Sequence, residues 1–349
     1  MGQTPAPLPR LTQSFDRSEL FPACAERNRV ARAPGSGYEC RVTVISPAIT
    51  DTAVDTIEAV AALASETVAP VAPAAPVLRL TEADLPRCGE LGVSRDWGAE
   101  QRKWGLLFEV GEVYGIEDAD GRLIATTVLT RYGARFATIS MVLVAQAHER
   151  QGYGTRIMRH VIDQAAGATL VLHATPNGRP LYEQLGFRAF GAVEAHVGTF
   201  DATGTKTGRS QPAAPEDLLQ LARLDREVYG VHRTALLKRL PGFAERIRVL
   251  RDADGLITGY GATWRGETRL NVGPVLAPDF AGARDLVADL VDGVEDELRL
   301  DIDAESDDLS AWACGHGLKP GFTCTHMALG GPAPMDQARL HSPLMCALG

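Results

Sequence analysis

The chain has 349 residues, of which 45% are hydrophobic and 23% charged, and its net charge is −9. This length supports two or three domains with sizeable cores, and the composition is that of a soluble globular protein. The acidic balance leaves no overall basic footprint for nucleic acid or an anionic membrane, and it suits a cationic or amine substrate.

Residues 1–76 read as a leader and linker that we expect to be disordered. Pro5, Pro7, Pro9, Pro22, Pro34 and Pro47 punctuate it, and Val68 to Pro76 is an extended Ala/Pro run. Within it, Thr50 to Thr67 carries one helical pattern, with Val54, Ile57, Val60 and Leu63 on one face. From Val77 the pattern becomes dense. Val77–Leu80 is a short strand, and Thr81-Glu82-Ala83-Asp84 has the form of a capping box opening a helix. A helical region containing Trp97 and Trp104 leads to Leu107. Val113–Glu117 and Leu123–Thr130 then make a hairpin about Asp118-Ala119-Asp120-Gly121. The strand Phe136–Val144 precedes a helix over about Gly154–Ala166, and Ala168–Ala174 is a buried strand. Asn177–Gln184 is a short helix stopped by Gly186, and Phe187–Val197 is expected as a closing strand pair.

A second linker, about residues 201–212, is followed by the same order of elements. Ala214–Tyr229 and His232–Leu240 are helical, Ile247–Arg251 and Leu256–Thr263 form a hairpin about Asp252-Ala253-Asp254-Gly255, and Leu270–Ala277 is a strand. Ala281–Val294 is a helix, Leu298–Ala304 a strand, and Leu309–His316 a helix. Gly321-Phe322 opens the last strand. The turn Asp118–Gly121 matches Asp252–Gly255, and Gly186-Phe187 matches Gly321-Phe322, so the chain is an internal duplication of two α+β halves. The expected domains are 77–200 and 213–332, with 333–349 a C-terminal tail.

Six scattered cysteines without Cys-x-x-Cys are the pattern of free thiols, and we expect a cytoplasmic protein. Cys314-x-His316 and Cys324-x-His326 are zinc-ligand types. The second pair falls on an expected strand, however, where a buried thiol and a surface imidazole account for it, and no metal is expected. The N-terminus lacks a charged segment followed by an apolar one, and Ala6 stands where a myristoylation signal has Ser or Thr. No run approaches eighteen apolar residues, so no membrane span is expected.

One stretch organises the first half: the strand Val142-Leu143-Val144, the turn Arg150-Gln151-Gly152-Tyr153-Gly154-Thr155, and a helix. Glycine admits positive φ and close approach of a ligand to the main chain, and the unpaired N–H groups of a helix start attract anions. This arrangement suits a phosphate or pyrophosphate.

Together with Leu181-Tyr182-Glu183-Gln184-Leu185-Gly186-Phe187 after a buried strand, these residues resemble the GCN5-related N-acetyltransferase (GNAT) superfamily over residues 77–200. The resemblance implies two tandem domains, each a mixed, splayed central sheet flanked by helices. It implies acetyl-CoA as co-substrate, held by Val142, Leu143, Val144, Arg150, Gln151, Gly152, Tyr153, Gly154, Thr155 and Asn177. Tyr182 falls where such enzymes keep the acid that protonates the departing thiolate, and a phenol stays protonated at neutral pH. A base is also needed; His173 is the first choice, with Glu100, Asp96, Tyr132 or a water chain as alternatives. A backbone N–H of Val142 or Val144 is expected on the acyl oxygen, and Trp97 and Trp104 lie where acceptor sites are lined or where a helix packs. One departure stands out: Glu149 occupies a position the family keeps basic.

The second half resembles a degenerate GNAT domain. Its turn is Pro278-Asp279-Phe280-Ala281-Gly282, where Asp279 repels a pyrophosphate, and Ala311-Trp312-Ala313-Cys314 replaces the tyrosine helix. Asp301 and Asp303 alternate on its strand, either facing the acceptor cleft to hold a cationic amine or facing solvent. The implied activity is direct acetyl transfer to a small-molecule primary amine by a monomer or homodimer. The alternatives are a non-catalytic acyl-CoA-binding regulator, or an acyltransferase using another acyl-CoA in thiol or natural-product biosynthesis.

Overall fold

The computed structural model describes residues 75–349, which belong to one compact unit. The leader up to residue 74, including the helix expected over Thr50–Thr67, lies outside the described residues. In the first half, β1 (Val77–Arg79) runs into a 3-10 turn at Glu82–Asp84, where the Thr81 N–H donates to Asp84 Oδ2 at 3.0 Å as the capping box requires. Helices α1 (Leu85–Val93) and α2 (Gln101–Val110) follow; Trp97 lies in the turn between them. The hairpin β2 (Glu112–Glu117) and β3 (Leu123–Arg131) leads to β4 (Phe136–Val144), α3 (Tyr153–Gln164), β5 (Thr169–Ala174), α4 (Arg179–Gln184) and β6 (Arg188–Thr199).

The second half repeats this order with β7 (Gln211–Pro212), α5 (Leu218–Tyr229), α6 (Thr234–Phe243), β8 (Arg246–Arg251), β9 (Ile257–Arg265) and β10 (Leu270–Leu276). Then come α7 (Phe280–Leu290), β11 (Glu297–Asp303), α8 (Asp307–Gly315) and β12 (Lys319–Leu329). The duplicated turns keep the same chemistry. Asp118 Oδ1 accepts the N–H groups of Asp120 and Arg122 at 3.0 and 2.9 Å, and Asp252 Oδ1 accepts those of Asp254 and Leu256 at the same distances. Gly121 and Gly255 supply positive φ at +75° and +80°.

The halves share one thirteen-stranded sheet, twelve of its strands ordered β1-β2-β3-β4-β5-β12-β6-β11-β10-β9-β8-β7 and the thirteenth, β13 (Leu340–Ser342), beside β10. Among the described residues, only β4/β5 and β10/β11 are parallel. The final strands are exchanged: β12 inserts between β5 and β6, and β6 lies between β12 and β11. The closing pair expected over Phe187–Val197 is therefore a single strand. It is uninterrupted because each of its edges finds a ladder in the other half.

Burial follows the helical and strand periods. In α3, Ile157, Met158 and Val161 turn inward beneath an exposed Arg159. One apolar cluster joins α1 and α2 (Trp104, Leu107) to α5 and α6 (Leu224, Leu237), and to Leu340, Leu344, Met345 and Leu348 near the end of the chain. Separate clusters lie under α3 with α4 and under α7 with α8. The segment expected as a tail is thus part of the core. Among the described residues, no helix is long and apolar enough to cross a membrane.

Candidate active site

The site begins where β4 and β5 part. Their parallel ladder has three rungs and stops at Thr138 opposite Val171, so residues 139–144 present an edge that β5 does not cover. A bulge interrupts the opposite edge: Met141 takes φ +48° while the register against β3 shifts between Thr126 and Val128. The Thr126 and Thr127 hydroxyls fix it, donating to the carbonyls of Met141 (3.0 Å) and Ser140 (3.3 Å). Beyond the bulge, Leu143 points into the core with α1 and α2, while Val142 and Val144 pack toward Ile157 on the α3 side. Thr138 Oγ1, Ser140 Oγ and His173 Nδ1 are buried here without hydrogen-bond partners. Orphaned polar atoms beside an open strand edge suit a ligand rich in amide groups.

The glycine turn meets this edge. Gly152 caps α3 in the left-handed region at φ +85°, and no side chain caps the helix. The N–H groups of Tyr153, Gly154 and Thr155 are therefore available to an anion, with the helix dipole behind them. A Cβ on Gly154 would stand 3.2 Å from Leu181 Cδ2 and 3.7 Å from Val144 Cγ2, so α3, α4 and β4 converge closely here and a larger side chain would press on Leu181. Gln151 is held by its amide donating to the Ala147 carbonyl at 3.0 Å, and Arg150 is exposed. Glu149, the departure from the family pattern, is paired with Arg95 at 2.6 Å. That guanidinium neutralises the carboxylate, so Glu149 no longer sets a net negative charge beside the turn.

Tyr182 reaches the same region from α4. It is buried beside Gly178, where a Cβ would lie 3.0 Å from its ring, and it meets Phe187 edge-on at 6.1 Å. Burial pushes its phenol above the usual tyrosine range, so it is protonated at neutral pH. His173 lies beyond the last β4–β5 rung. Leu172 and Ala174 turn toward Tyr182, so strand alternation carries His173 to the opposite face of the sheet. Its Nε2 contacts Nε2 of His326, its direct partner on β12, with ring centroids 3.9 Å apart. Desolvation pulls His173 down to about 4 and lowers His326 strongly, so both rings are neutral.

The other sequence-derived residues are placed as follows. Asn177 is exposed in the β5–α4 turn. Glu100 is 3.2 Å from Lys103, and Tyr132 donates to the Leu348 carbonyl at 2.9 Å, with burial pushing it up to about 12. Trp104 is fully buried in α2, and Trp97 is 44% exposed. Asp301 is bound by both arms of Arg299 (2.8 and 3.1 Å) and by the Cys346 thiol at 3.4 Å, so its charge is already matched. Burial raises the Asp303 carboxyl, which accepts the Glu305 N–H at 2.9 Å. Cys314, His316, Cys324 and His326 do not converge: His316 stacks on Phe200, whereas His326 pairs with His173. Among the described residues, no group of three or more His, Cys, Asp or Glu is arranged to hold a metal.

The equivalent place in the second half is closed by its own chain. β10 and β11 also part after three rungs, at Val272 opposite Leu300, but β13 pairs with β10 at Val275 and Leu276 and fills the opening. Asp279 Oδ1 caps α7 by accepting the Gly282 N–H at 2.8 Å, consuming a donor that a phosphate would use. Three contributors escaped the sequence reading: Arg95, His326 and the plugging segment. Their partners lie 54, 153 and about 65 residues away in the chain, beyond any local signal.

Residues 80–187 match the model of the acetyltransferase (GNAT) family and residues 221–342 that of an acetyltransferase (GNAT) domain, together more than half of the chain. The chain is 28% identical over 265 residues to YitH of Bacillus subtilis (strain 168), named an uncharacterized N-acetyltransferase, covering 75% of this chain and 93% of the relative. Among solved structures, a protein of Pyrococcus horikoshii superposes with a TM-score of 0.66 at 16% identity, covering 78% of this chain and 95% of its own. A tandem GNAT protein from the clavulanic acid biosynthesis pathway gives 0.56 at 13% identity, covering 74% and 99%. These structural likenesses concern the fold.

Proposed function

The chain belongs to the GCN5-related N-acetyltransferase (GNAT) family as a tandem protein and is an acyl-CoA N-acyltransferase; from that premise, we propose that its first half transfers acetyl from acetyl-CoA directly to the primary amine of a small molecule. The observation that carries this reading is the contrast between the halves. In the first, a parted strand pair meets an uncapped helix start and a protonated tyrosine. In the second, the opening holds β13, Asp279 caps the helix, and the tyrosine has no counterpart.

In this proposal the turn Arg150–Thr155 binds the pyrophosphate through main-chain N–H groups, aided by Arg150, while Arg95 cancels the charge of Glu149. The open edge of Val142–Val144 takes the pantetheine amides, and one of its N–H groups polarises the acyl carbonyl. Asn177, on the rim beside α4, lies along the path of the cofactor arm. Acetyl-CoA supplies the activated thioester. Tyr182 gives its proton to the sulfur as the C–S bond breaks. His173, neutral and on the opposite face, accepts the proton lost by the amine. The acidic surface, at net charge −9, favours a cationic amine over an acidic one.

The test is incubation of the full chain with acetyl-CoA and a panel of small amines, read by free thiol release and by mass of the product. Amine-dependent release of one thiol per acetylated product is the expected result. Tight acetyl-CoA binding with no release for any amine would overturn catalysis and leave an acyl-CoA-binding regulator. Faster turnover with a longer acyl-CoA would replace acetyl as the transferred group.

A further inference from the structure

A base held down to about 4 cannot retain a proton taken from an alkylammonium at neutral pH, so the proton must travel further. The register offers a route. His173 on β5 and His326 on β12 are direct cross-strand partners, and their Nε2 atoms are in contact. Each ring has its other nitrogen, Nδ1, buried and without a hydrogen bond. In two neutral imidazoles sharing one N–H, whichever ring carries the shared proton, one outer nitrogen is a donor and the other an acceptor. The pair therefore has an entry and an exit.

The two ends face different surroundings. The His173 end lies on the parted stretch of β5, beside the main chain of Cys346, which favours its charged form but does not meet hydrogen-bond geometry at Nδ1. The His326 end points toward Gly191 of β6. A Cβ there would stand 3.7 Å from His326 Nδ1 and 3.0 Å from Gln337 Nε2, so glycine at this position lets the Gln337 amide stand close to that end of the pair. Gln337 lines a groove of about 680 Å³ with Phe190 and Met335, and the Phe190 ring lies 5.3 Å from that of His326. The titratable and charged groups around this end are Cys324, two residues along β12, Cys346 on the last segment with Asp301 against its thiol, and Arg188, which lines the groove. The electrostatic influence acting on His326 besides burial is His173 itself.

Resting on the acetyltransferase reading above, we propose that His173 and His326 form a two-imidazole proton relay carrying the acceptor amine's proton from the parted strands to the groove beside Gln337. In the active tautomer, an amine N–H bond breaks and its proton passes to His173 Nδ1. The His173 Nε2 proton passes to His326 Nε2, and the His326 Nδ1 proton leaves to water in the groove. One proton enters, one leaves, and neither desolvated ring ends charged. The tautomers reset by exchange with water after the product departs. His326 acts through His173 and is a positioning and relay residue. The second half contributes it through the exchanged strand.

The experiment compares His326→Gln, His326→Ala and His326→Phe with wild type in the full chain, measuring kcat/KM across pH with an amine found to turn over. Thermal melting and acetyl-CoA affinity are followed in parallel. We expect at least a tenfold loss at pH 7 in His326→Gln, whose amide can still hydrogen-bond His173 but does not relay a proton readily. The loss should shrink as pH rises and the amine arrives uncharged, and added imidazole should partly restore His326→Ala. If His326→Phe fails to fold, His326→Gln decides alone. Wild-type turnover and an unshifted pH profile in a folded His326→Gln would overturn the relay. If wild type itself releases no thiol, the functional reading fails instead, so the two failures are distinguishable.

Discussion

The two glycines of the turn are required for different reasons, and substituting them separately tests the cofactor site. Gly152 takes φ +85° with nothing within 4 Å of an added Cβ, so Gly152→Ala meets no clash but must hold a left-handed conformation. That costs about 1–2 kcal/mol, or about 5- to 30-fold in acetyl-CoA Kd if the turn relaxes and its N–H groups swing away. Gly154 has ordinary helical backbone but is crowded, with Leu181 Cδ2 at 3.2 Å. Gly154→Val overpacks that contact by about 1–3 kcal/mol and displaces α4, which carries Tyr182. Gly152→Asn is the control, because Asn tolerates the left-handed region and should bind close to wild type. Isothermal titration with acetyl-CoA, alongside thermal melting, reads all three. If Gly152→Ala and Gly154→Val both melt normally and bind within about twofold of wild type, the turn does not hold the pyrophosphate.

Four further outcomes are expected. Tyr182→Phe should lower kcat by about 10²–10⁴-fold with acetyl-CoA affinity unchanged, and full turnover across pH would remove its role as acid. Titration should find one acetyl-CoA per chain, and still one in Asp279→Gly, because β13 occupies the second opening regardless of the cap. Asp225→Ala should cost about 3–5 kcal/mol in urea unfolding, since it strands Arg233, now paired at 2.6 Å and 2% exposed, without a counter-charge; a loss below about 1 kcal/mol would show that water reaches the site. Burial opposes the charge of Asp289, but hydrogen bonds from Ser210, Gly208 and Thr207 outweigh it, and its carboxyl is net lowered. Its stabilisation is thus complete above the unfolded value near 3.9 and fades as pH falls through the lower folded one. The deficit of Asp289→Asn should accordingly shrink in urea melts below about pH 4, and a deficit constant with pH would contradict this account.

What the sequence made legible was local. Glycine with a polar turn announced the α3 start, the two Asp-Ala-Asp-Gly hairpins betrayed the duplication, and period-2 and period-3.6 patterns placed nearly every strand and helix. Partnership was not legible. Nothing in Arg188–Thr199 says that its neighbours come from residues 297–303 and 319–329, because alternation sets which face a residue takes but not which strand lies beside it. Residues 333–349 looked like a tail because Leu340, Leu344, Met345 and Leu348 follow no period, yet they enter the central core. For the same reason His173 read as a lone histidine and Glu149 as an uncompensated charge. Their partners His326 and Arg95 appear only once strands and loops have a register.

The exchanged strands also set a condition on how the protein is made. Until β11 is synthesised, β6 has neither of the ladders it will occupy, and until β12 follows, β5 lacks its outer neighbour. Ordinary tandem proteins fold one domain as it leaves the ribosome. Here the first half waits for pairings about 150 residues distant, such as His173 with His326, and keeps exposed strand edges until they arrive. A ribosome stalled before residue 319 would hold a nascent chain open to aggregation, and cutting the gene between the halves would yield two fragments, each bearing a strand that the other needs.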